Sequence, residues 1–176
     1  RPLTLFVDKR EVVTLMTLGA APELLALGYL RNQRLVESLD DVESITVDWV
    51  VEAAAVKTRR GATPFIEART SRRIVTTGCG QGTMFGHMMD ELDATSLPTA
   101  AVARIHQSTL LHLNEAMRKT DSVHRRAGSV HGCALFRGAE LLMFIEDVGR
   151  HNAIDTITGW MALLGVAADA TEIYTT

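Results

Sequence analysis

Cys79 is the side chain in this sequence with the clearest capacity for chemistry. It lies in the glycine-rich segment Thr77-Gly78-Cys79-Gly80-Gln81-Gly82. A thiol on a glycine turn has little steric cover, and backbone N–H groups or the nearby Arg72 and Arg73 would favour its thiolate. A thiolate is a nucleophile and can also carry a persulfide sulfur. The alternative is that Cys79 is a small buried residue, which is common for free cysteine.

A second candidate is the segment from Glu146 to Asn152, which holds two carboxylates, a guanidinium, an imidazole and an amide within seven residues. Carboxylates accept hydrogen bonds from sugar hydroxyls or base N–H groups, and Arg150 can clamp a phosphate. The segment therefore has the groups that a ribose, guanine or phosphate site needs. The alternative is a helix cap made by Asn152 or Asp147, with surface charges around it.

Two further residues are weaker candidates. His131 is a possible ligand or base, or a strand histidine held by hydrogen bonds. Cys133 stands in the apolar run Cys133-Ala134-Leu135-Phe136, which favours a structural role. The three polar or glycine-lined turns, 77–83, 128–131 and 146–152, each lie at the end of an apolar strand. Ligands of α/β sheets bind beyond strand ends, so the three turns could share one site.

Hydrophobic periodicity predicts the elements that position these turns. We expect an opening β-hairpin, an amphipathic helix over 22–34, a strand over 45–51 that could extend toward 56, a strand over 74–76, a helix over 99–119, a hairpin of strands 130–136 and 141–145, a helix from about 153 to 164, and a strand over 172–174. This order is typical of a mixed α/β layer fold.

Composition excludes several classes of protein. The 176 residues are 47% hydrophobic and 22% charged, which is typical of a globular chain, and the apolar runs are too short for membrane insertion. The net charge of −3 excludes an overall basic nucleic-acid binder. Basic residues do cluster in the segments 57–73 and 118–126, but no aromatic residues interleave with the arginines, so we expect no nucleic acid as partner.

Cysteine content and metal motifs also bear on function. Two cysteines and the absence of a signal peptide predict a cytoplasmic protein. Neither Cys-x-x-Cys nor His-Glu-x-x-His is present, and the zinc deaminase pairing is absent as well, so we expect no metal site. Because the chain starts without Met and stops after an apparent strand, we expect it to be a trimmed piece of a longer protein.

Three strings together resemble the formate dehydrogenase accessory sulfurtransferase family, FdhD. They are Thr76-Thr77-Gly78-Cys79-Gly80, Gly128-Ser129-Val130-His131-Gly132-Cys133-Ala134-Leu135, and Glu146-Asp147-Val148-Gly149-Arg150-His151-Asn152-Ala153-Ile154-Asp155. The resemblance covers essentially the whole chain. It implies a cytoplasmic sulfur carrier that receives persulfide sulfur from a cysteine desulfurase. That sulfur then passes to the molybdenum bis-guanine dinucleotide cofactor, which is delivered to formate dehydrogenase.

The resemblance also implies a fold and a set of site residues. The expected fold is a small β-hairpin plus helix subdomain over 1–60, followed by a cytidine-deaminase-like three-layer α/β/α domain without zinc over 61–176, in a homodimer. Cys79 would carry the persulfide. The implied cofactor contacts are Thr77, Gly78, Gly80, Gly128, Ser129, His131, Asp147, Arg150, His151 and Asn152.

The sequence departs from the family pattern at two places. Gly82 stands where family members often carry a second loop cysteine, although one thiol is enough to hold a persulfide. The family's C-terminal section, which begins with a Thr-Gly-Arg motif, is absent after Thr176. Two other functions stay open: a cofactor-binding chaperone without covalent chemistry, and a zinc-free hydrolytic relative of nucleotide deaminases with Glu146 or His131 as base.

Overall fold

The computed structural model describes residues 1–59, 61, 73–76, 82–85, 104–169 and 171–176, with the backbone alone for 73–76 and 82–85. The helices are α1 Pro22–Asn32, α2 Gln107–Lys119, α3 Val123–Ala127 and α4 Arg150–Leu164, with a 3-10 turn at Leu39–Asp41. The strands are β1 Pro2–Val7, β2 Arg10–Met16, β3 Val42–Asp48, β4 Ala53–Thr58, β5 Arg73–Thr76, β6 Gly82–Phe85, β7 His131–Arg137, β8 Glu140–Asp147 and β9 Glu172–Thr175.

The N-terminal residues form a four-stranded sheet of order β2-β1-β4-β3. The predicted opening hairpin is confirmed, since β1 and β2 pair antiparallel. Asp8 and Lys9 turn the chain with φ of 46° and 72°, the left-handed values that a two-residue hairpin turn requires. Strand β1 also pairs parallel with β4, which places the hairpin beside the third and fourth strands.

The predicted strand over 45–51, with its extension toward 56, is wrong in one respect. β3 ends at Asp48 and β4 begins at Ala53, and the two strands pair antiparallel. The intervening Val50 is 92% exposed and Val51 is 67% exposed. Asp48 Oδ1 accepts a hydrogen bond from the Val50 amide at 2.8 Å, which starts the turn. The valines suggest a continuous strand because β-branched residues favour extended backbone wherever they occur.

Helix α1 joins the sheet to the rest of the molecule. It begins with Pro22 at the first turn, as expected, and ends at Asn32 rather than residue 34. Its buried face includes Leu25 and Leu30, which belong to the core of the four-stranded sheet. Its other side crosses α4, where a Cβ on Gly28 would lie 1.6 Å from the Asp155 carbonyl oxygen. Glycine is therefore required for the two helices to approach this closely.

The C-terminal residues form the sheet β8-β7-β9, in which β7 is central and antiparallel to both neighbours. Side chains of β7 alternate between its two faces. Cys133 and Leu135 pack toward α4, whereas Ala134 and Phe136 pack toward α2. The sheet therefore carries one helix on each face, and the predicted mixed α/β architecture and the predicted hairpin of β7 and β8 are confirmed.

Two local predictions need correction, and one short helix was not predicted. The helix predicted over 99–119 begins at Gln107, and residues 104–106 are not helical, while 99–103 lie outside the part of the chain that is described. His106 has extended backbone, with φ of −73° and ψ of 144°. The basic stretch 118–126 overlaps the unpredicted α3, and the predicted turn 77–83 overlaps β6, which pairs with β5.

The predicted division at residue 60 stays a prediction. The four-stranded sheet is built entirely within 1–60, and the sheet β8-β7-β9 within 61–176. Helices α1 and α4, one from each segment, pack against each other along their lengths. The two segments are thus joined by a helix pair that also supports the β8–α4 junction.

Candidate functional site

A buried carboxylate lies at the junction between β8 and α4. Asp147 is 3% exposed, and its Oδ2 accepts hydrogen bonds from the Thr17 hydroxyl and from the Leu18 amide at 3.3 Å. Its Oδ1 accepts from the Gly149 amide at 3.3 Å and from Asn152 Nδ2 at 3.1 Å. We call this group of bonds the Asp147 latch. It joins the segment after β2 to the first turn of α4.

Asn152 adds a further bond to the latch, because its Nδ2 also donates to the Met16 carbonyl oxygen at 2.7 Å. Both Asp147 and Asn152, which were predicted to contact the cofactor, therefore use these polar atoms within the protein. Their role as cofactor contacts stays a prediction. The structure gives them a positioning role, since they fix the junction against the N-terminal sheet.

Arg150 and His151 have the opposite character. They are the first two residues of α4, and both are exposed. Within the described ranges neither side chain makes a hydrogen bond or an ion pair. Cations near a helix N-terminus are not favoured by the helix dipole, so their position does not serve helix stability. Of the four predicted contacts at this junction, these two are the ones that face solvent.

The predicted turn 128–131 lies beside this junction. Gly128 ends α3 with φ of +64°, a left-handed conformation that favours glycine, and Ser129 is exposed. His131 starts β7, where its Cα pairs in register with that of Asp147. Its Nδ1 is 3.3 Å from the Thr176 carbonyl oxygen. Two of the three turns that were expected to share a site are therefore neighbours at one end of the sheet.

The third turn cannot be compared in this way. Thr77, Gly78, Cys79 and Gly80 lie outside the described residues. The strands on either side are described, and β5 pairs with β6 so that Thr76 faces Gly82. Predictions for Cys79 and its glycine neighbours therefore rest on the sequence.

Cys133 is inaccessible to solvent, with 0% exposure. Its Sγ is 3.3 Å from Thr175 Oγ1 and 3.9 Å from the Arg150 carbonyl oxygen. Burial raises the pKa of the Cys133 thiol, against a smaller opposing effect of the contact with Thr175. A buried thiol with a raised pKa is a poor nucleophile, and the predicted structural role of Cys133 is confirmed.

The side chain of Glu146 caps helix α3. Its two carboxylate oxygens accept hydrogen bonds from the Val123 and His124 amides, both at 2.7 Å. The Ser122 hydroxyl caps the same helix by accepting from the Arg125 amide at 3.0 Å. Glu146 therefore stabilises the start of α3, and this use disfavours it as the base of a hydrolytic reaction. In the sequence, the start of α3 is indicated only by Ser122, because serine is a favourable N-cap residue.

A cavity of about 480 Å³ opens on the α2 face of the sheet. Phe144 and Tyr174 line it from β8 and β9, and Arg118 and Arg125 line it from the C-terminal end of α2 and from α3. The sequence indicated the basic stretch but not the cavity. The cavity is formed by residues that are up to 62 positions apart in the chain, so local pattern did not predict it.

Metal clusters and membrane-spanning helices are both absent from the part of the chain that the structure describes. Nowhere in it do three or more His, Cys, Asp or Glu side chains cluster as a metal ion would require. None of its helices has the length and apolar character that crossing a bilayer demands.

Comparison with known proteins identifies relatives along the whole chain. A family model described as the FdhD/NarQ family matches residues 1–176. A protein named "Sulfur carrier protein FdhD" from Listeria innocua is 25% identical over 168 residues, which are 96% of this chain and 64% of that protein. One of the same name from Sulfolobus acidocaldarius is 29% identical over 160 residues, covering 90% of this chain and 58% of the relative.

A solved structure shares the fold. A formate dehydrogenase accessory protein from Desulfotalea psychrophila superposes with a TM-score of 0.69 at 22% sequence identity, over 100% of this chain and 63% of that one. The chain thus spans between 58% and 64% of the length of the curated relatives described above.

Proposed function

The chain belongs to the FdhD/NarQ family, and from this membership we propose that it is a sulfur carrier in the maturation of formate dehydrogenase. The observation that carries the proposal is the family match across residues 1–176. Support comes from curated relatives named as sulfur carriers, which match 90% or more of the chain. The relatives are longer than this chain, so their activity is assigned to it here as a proposal.

Cys79 is the proposed sulfur-carrying residue. The chain has two cysteines, and the other, Cys133, is fully buried with a raised pKa. In the proposed first step the Cys79 thiolate attacks the terminal sulfur of a persulfide on a cysteine desulfurase. One S–S bond forms at Cys79 while the S–S bond of the donor breaks, and the donor cysteine leaves as a thiolate. The step exchanges one persulfide for another, so it requires no oxidant or reductant.

The proposed recipient of the sulfur is the molybdenum bis-guanine dinucleotide cofactor, bound as a substrate. Its phosphates would be attracted by the exposed Arg150 and His151. The Asp147 latch would hold these two side chains beside the turn that contains Gly128 and Ser129. We include in the proposal a zinc-free, cytidine-deaminase-like domain, which is supported by helices on both faces of the sheet. We also propose that the protein is cytoplasmic and forms a homodimer.

Intact-protein mass spectrometry tests the persulfide step. The purified chain is incubated with a cysteine desulfurase and cysteine, then weighed with and without reductant. We expect a gain of one sulfur that reductant removes. Cys79→Ala should abolish the gain, whereas Cys133→Ala should retain it, because the buried thiol takes no part. Circular dichroism checks that both variants fold.

The opposite result would contradict the proposal. If neither cysteine gains sulfur while both remain open to alkylation after unfolding, the chain is not a persulfide carrier. Retention of the gain in Cys79→Ala would likewise exclude Cys79. Normal maturation of formate dehydrogenase by Cys79→Ala would favour the chaperone that binds the cofactor without covalent chemistry.

A further inference from the structure

The buried carboxylate of Asp147 is bonded to neutral donors only. Its four hydrogen bonds come from the Thr17 hydroxyl, from the amides of Leu18 and Gly149, and from the side chain of Asn152. A hydrogen bond between a carboxylate and a cation is stronger than one between two neutral groups, and arginine forms two such bonds at once. The choice of four neutral donors at this position therefore needs an explanation.

A guanidinium group is available close to this carboxylate. Arg150 is the first residue of α4, three positions after Asp147, and its side chain is exposed. The chain folds back between the two residues, because the Gly149 amide donates to Asp147 Oδ1 at 3.3 Å. The first turn of α4 thus lies against the carboxylate, and the long side chain of Arg150 can reach it. Within the described ranges the two nevertheless form no ion pair.

Thr17 turns one carboxylate oxygen of Asp147 toward the N-terminal sheet. The Thr17 side chain is 1% exposed, and its hydroxyl donates to Asp147 Oδ2. Its own position is fixed, because Oγ1 also accepts a hydrogen bond from the Gly19 amide at 3.0 Å. The Leu18 amide donates to the same carboxylate oxygen at 3.3 Å. Oδ2 therefore points into the protein, whereas the Arg150 side chain is in solvent.

Asn152 holds the other oxygen of Asp147 in a similar way. Asn152 Nδ2 donates to Asp147 Oδ1 at 3.1 Å and to the Met16 carbonyl oxygen at 2.7 Å. With the Gly149 amide, this gives Oδ1 two donors, and Oδ2 has two as well. A carboxylate accepts about four hydrogen bonds in all, so the Asp147 latch leaves no acceptor position open.

An ion pair with Arg150 would have to displace one of these donors. If the displaced donor were the Thr17 hydroxyl, a buried polar group would lose its partner while its desolvation cost remained. An exposed ion pair gains little in return, because water and salt screen it. The latch therefore competes successfully with Arg150 for the Asp147 carboxylate.

We propose that Thr17 is a positioning residue that keeps Asp147 from pairing with Arg150, and so leaves the Arg150 guanidinium free for an anionic ligand. The Thr17 hydroxyl touches only protein atoms, so it acts through Asp147. The proposal rests on the proposed function in one respect, the identity of the anion, which would be a phosphate of the cofactor. The competition between Thr17 and Arg150 for the carboxylate does not depend on that identity.

Modification by phenylglyoxal tests the proposal on the 176-residue chain. The reagent attacks free guanidinium groups faster than paired ones, and peptide mass spectrometry measures each arginine separately. Arg126 is an internal standard for an exposed but paired arginine, since it lies 3.6 Å from Asp121. In the parent we expect Arg150 to react faster than Arg126. In Thr17→Val the rate at Arg150 should fall about threefold, the size of effect that an exposed ion pair has on an equilibrium.

Three further variants separate pairing from general damage. Thr17→Ser keeps the hydroxyl and should keep the parental rate at Arg150. Thr17→Val/Asp147→Asn should restore that rate, because the amide carries no charge to pair with. Thr14→Val is the matched control, since it removes another hydroxyl of the N-terminal sheet, which lies 3.0 Å from Thr4 Oγ1. Circular dichroism checks each fold. If Thr17→Val does not fold, Asn152→Ala removes a donor from the other oxygen and should also slow the modification of Arg150.

Three results would overturn the proposal. Faster modification of Arg150 in Thr17→Val would mean that the hydroxyl only holds the junction together, because a loosened junction exposes the arginine further. An unchanged rate in both Thr17→Val and Asn152→Ala would mean that the released carboxylate does not pair with Arg150. A slow rate that persists in Thr17→Val/Asp147→Asn would exclude the charge of Asp147 as the cause.

Protection by inorganic pyrophosphate tests the proposed function separately. If Arg150 contacts phosphates of the cofactor, pyrophosphate should slow its modification in the parent and leave the rate at Arg126 unchanged. Absence of protection would contradict the phosphate contact, whereas the rates measured in the Thr17 variants without pyrophosphate would still decide the role of Thr17. The two proposals can therefore fail independently.

Discussion

The two faces of the sheet β8-β7-β9 are completed in different ways. On the α4 face, Cys133 and Leu135 are fully buried against Ala153 and Ile157. On the α2 face, Ala134 and Phe136 are equally buried, but the packing stops at the cavity that Phe144 lines. The same central strand thus supports a closed face and an open one.

The polar groups on the two sides follow the same division. On the α4 side, Asp147 and Asp155 are hydrogen-bonded to residues of the N-terminal segment, to Thr17 and to Asn32 at 2.6 Å. On the α2 side, Arg118 and Arg125 line a cavity without a carboxylate partner in the described part of the chain. The α4 face is thus closed by apolar packing and by hydrogen bonds to the N-terminal segment, whereas the α2 face leaves a cavity with two arginines at its wall.

The largest expected effect comes from the crossing of α1 and α4. In Gly28→Ala the new Cβ would lie 1.6 Å from the Asp155 carbonyl oxygen, a backbone atom that cannot rotate away. The two helices must therefore separate, which we expect to cost about 3 kcal/mol or more in the free energy of unfolding. Urea denaturation followed by circular dichroism measures the loss.

Gly165→Ala is the matched control for this variant. Gly165 ends α4 with φ of +65°, and no atom lies within 4 Å of the place that a Cβ would take there. The cost should be roughly 1 kcal/mol, from backbone conformation alone. Equal losses in the two variants would contradict the view that the close crossing is what glycine permits at position 28.

The next largest effect is expected at the Asp147 latch. Asp147→Ala removes the acceptor of four hydrogen bonds and leaves the Thr17 hydroxyl, which is 1% exposed, without this partner. We expect unfolding free energy to fall by about 3 kcal/mol, because buried groups that lose a charged partner keep their desolvation cost. Val148→Ala, at the exposed neighbouring position, should change stability little. An Asp147→Ala protein as stable as the parent would mean that these four hydrogen bonds do not hold the junction together.

Much of the fold follows from local pattern, for identifiable reasons. Apolar residues alternate along β1 and recur at helical spacing in α4, and both patterns are local signals. The strand predicted over 45–51 was too long because Val50 and Val51, which are exposed in a turn, cannot be distinguished by residue type from buried strand valines. Helix α3 was missed because five residues are too few to show a period.

The residues of the candidate site could be predicted from the sequence, but the contacts that each of them makes could not. The sequence indicated that Asp147 and Asn152 lie at a polar strand-to-helix junction. It could not indicate that Asp147 would bond to Thr17, because the two are 130 positions apart and no local signal marks the contact. The close approach of Gly28 to the Asp155 carbonyl oxygen is a tertiary contact of the same kind.

Asp155, on the α4 side of the sheet, makes the stability of the fold depend on pH. Burial raises the pKa of this carboxyl from 3.8 to about 6, against the opposing effect of the hydrogen bond from Asn32. The folded protein then holds the proton more tightly than the unfolded chain. The stabilisation by protonated Asp155 is complete below the unfolded pKa and is lost as pH rises through about 6.

Asp155→Asn should remove this dependence. The amide keeps an oxygen that accepts from Asn32 and carries no charge at any pH. Relative to the parent, we expect the variant to gain roughly 2 kcal/mol in unfolding free energy between pH 4.5 and pH 7.5. Urea denaturation at both values measures the change. A difference that is constant with pH would mean that Asp155 ionises as freely in the fold as in the unfolded chain.

The smallest effect is expected on the outer surface of α2, where Lys119 pairs with Glu115 at 2.7 Å. The hydrogen bond from Lys119, followed by its charge, lowers the pKa of the Glu115 carboxyl. Both side chains are exposed, so water and salt screen the pair, and Lys119→Ala should leave the denaturation midpoint unchanged within error. An NMR titration should nevertheless show the Glu115 pKa rising toward its ordinary value. A large loss of stability in Lys119→Ala would mean that this exposed pair supports the fold in spite of screening.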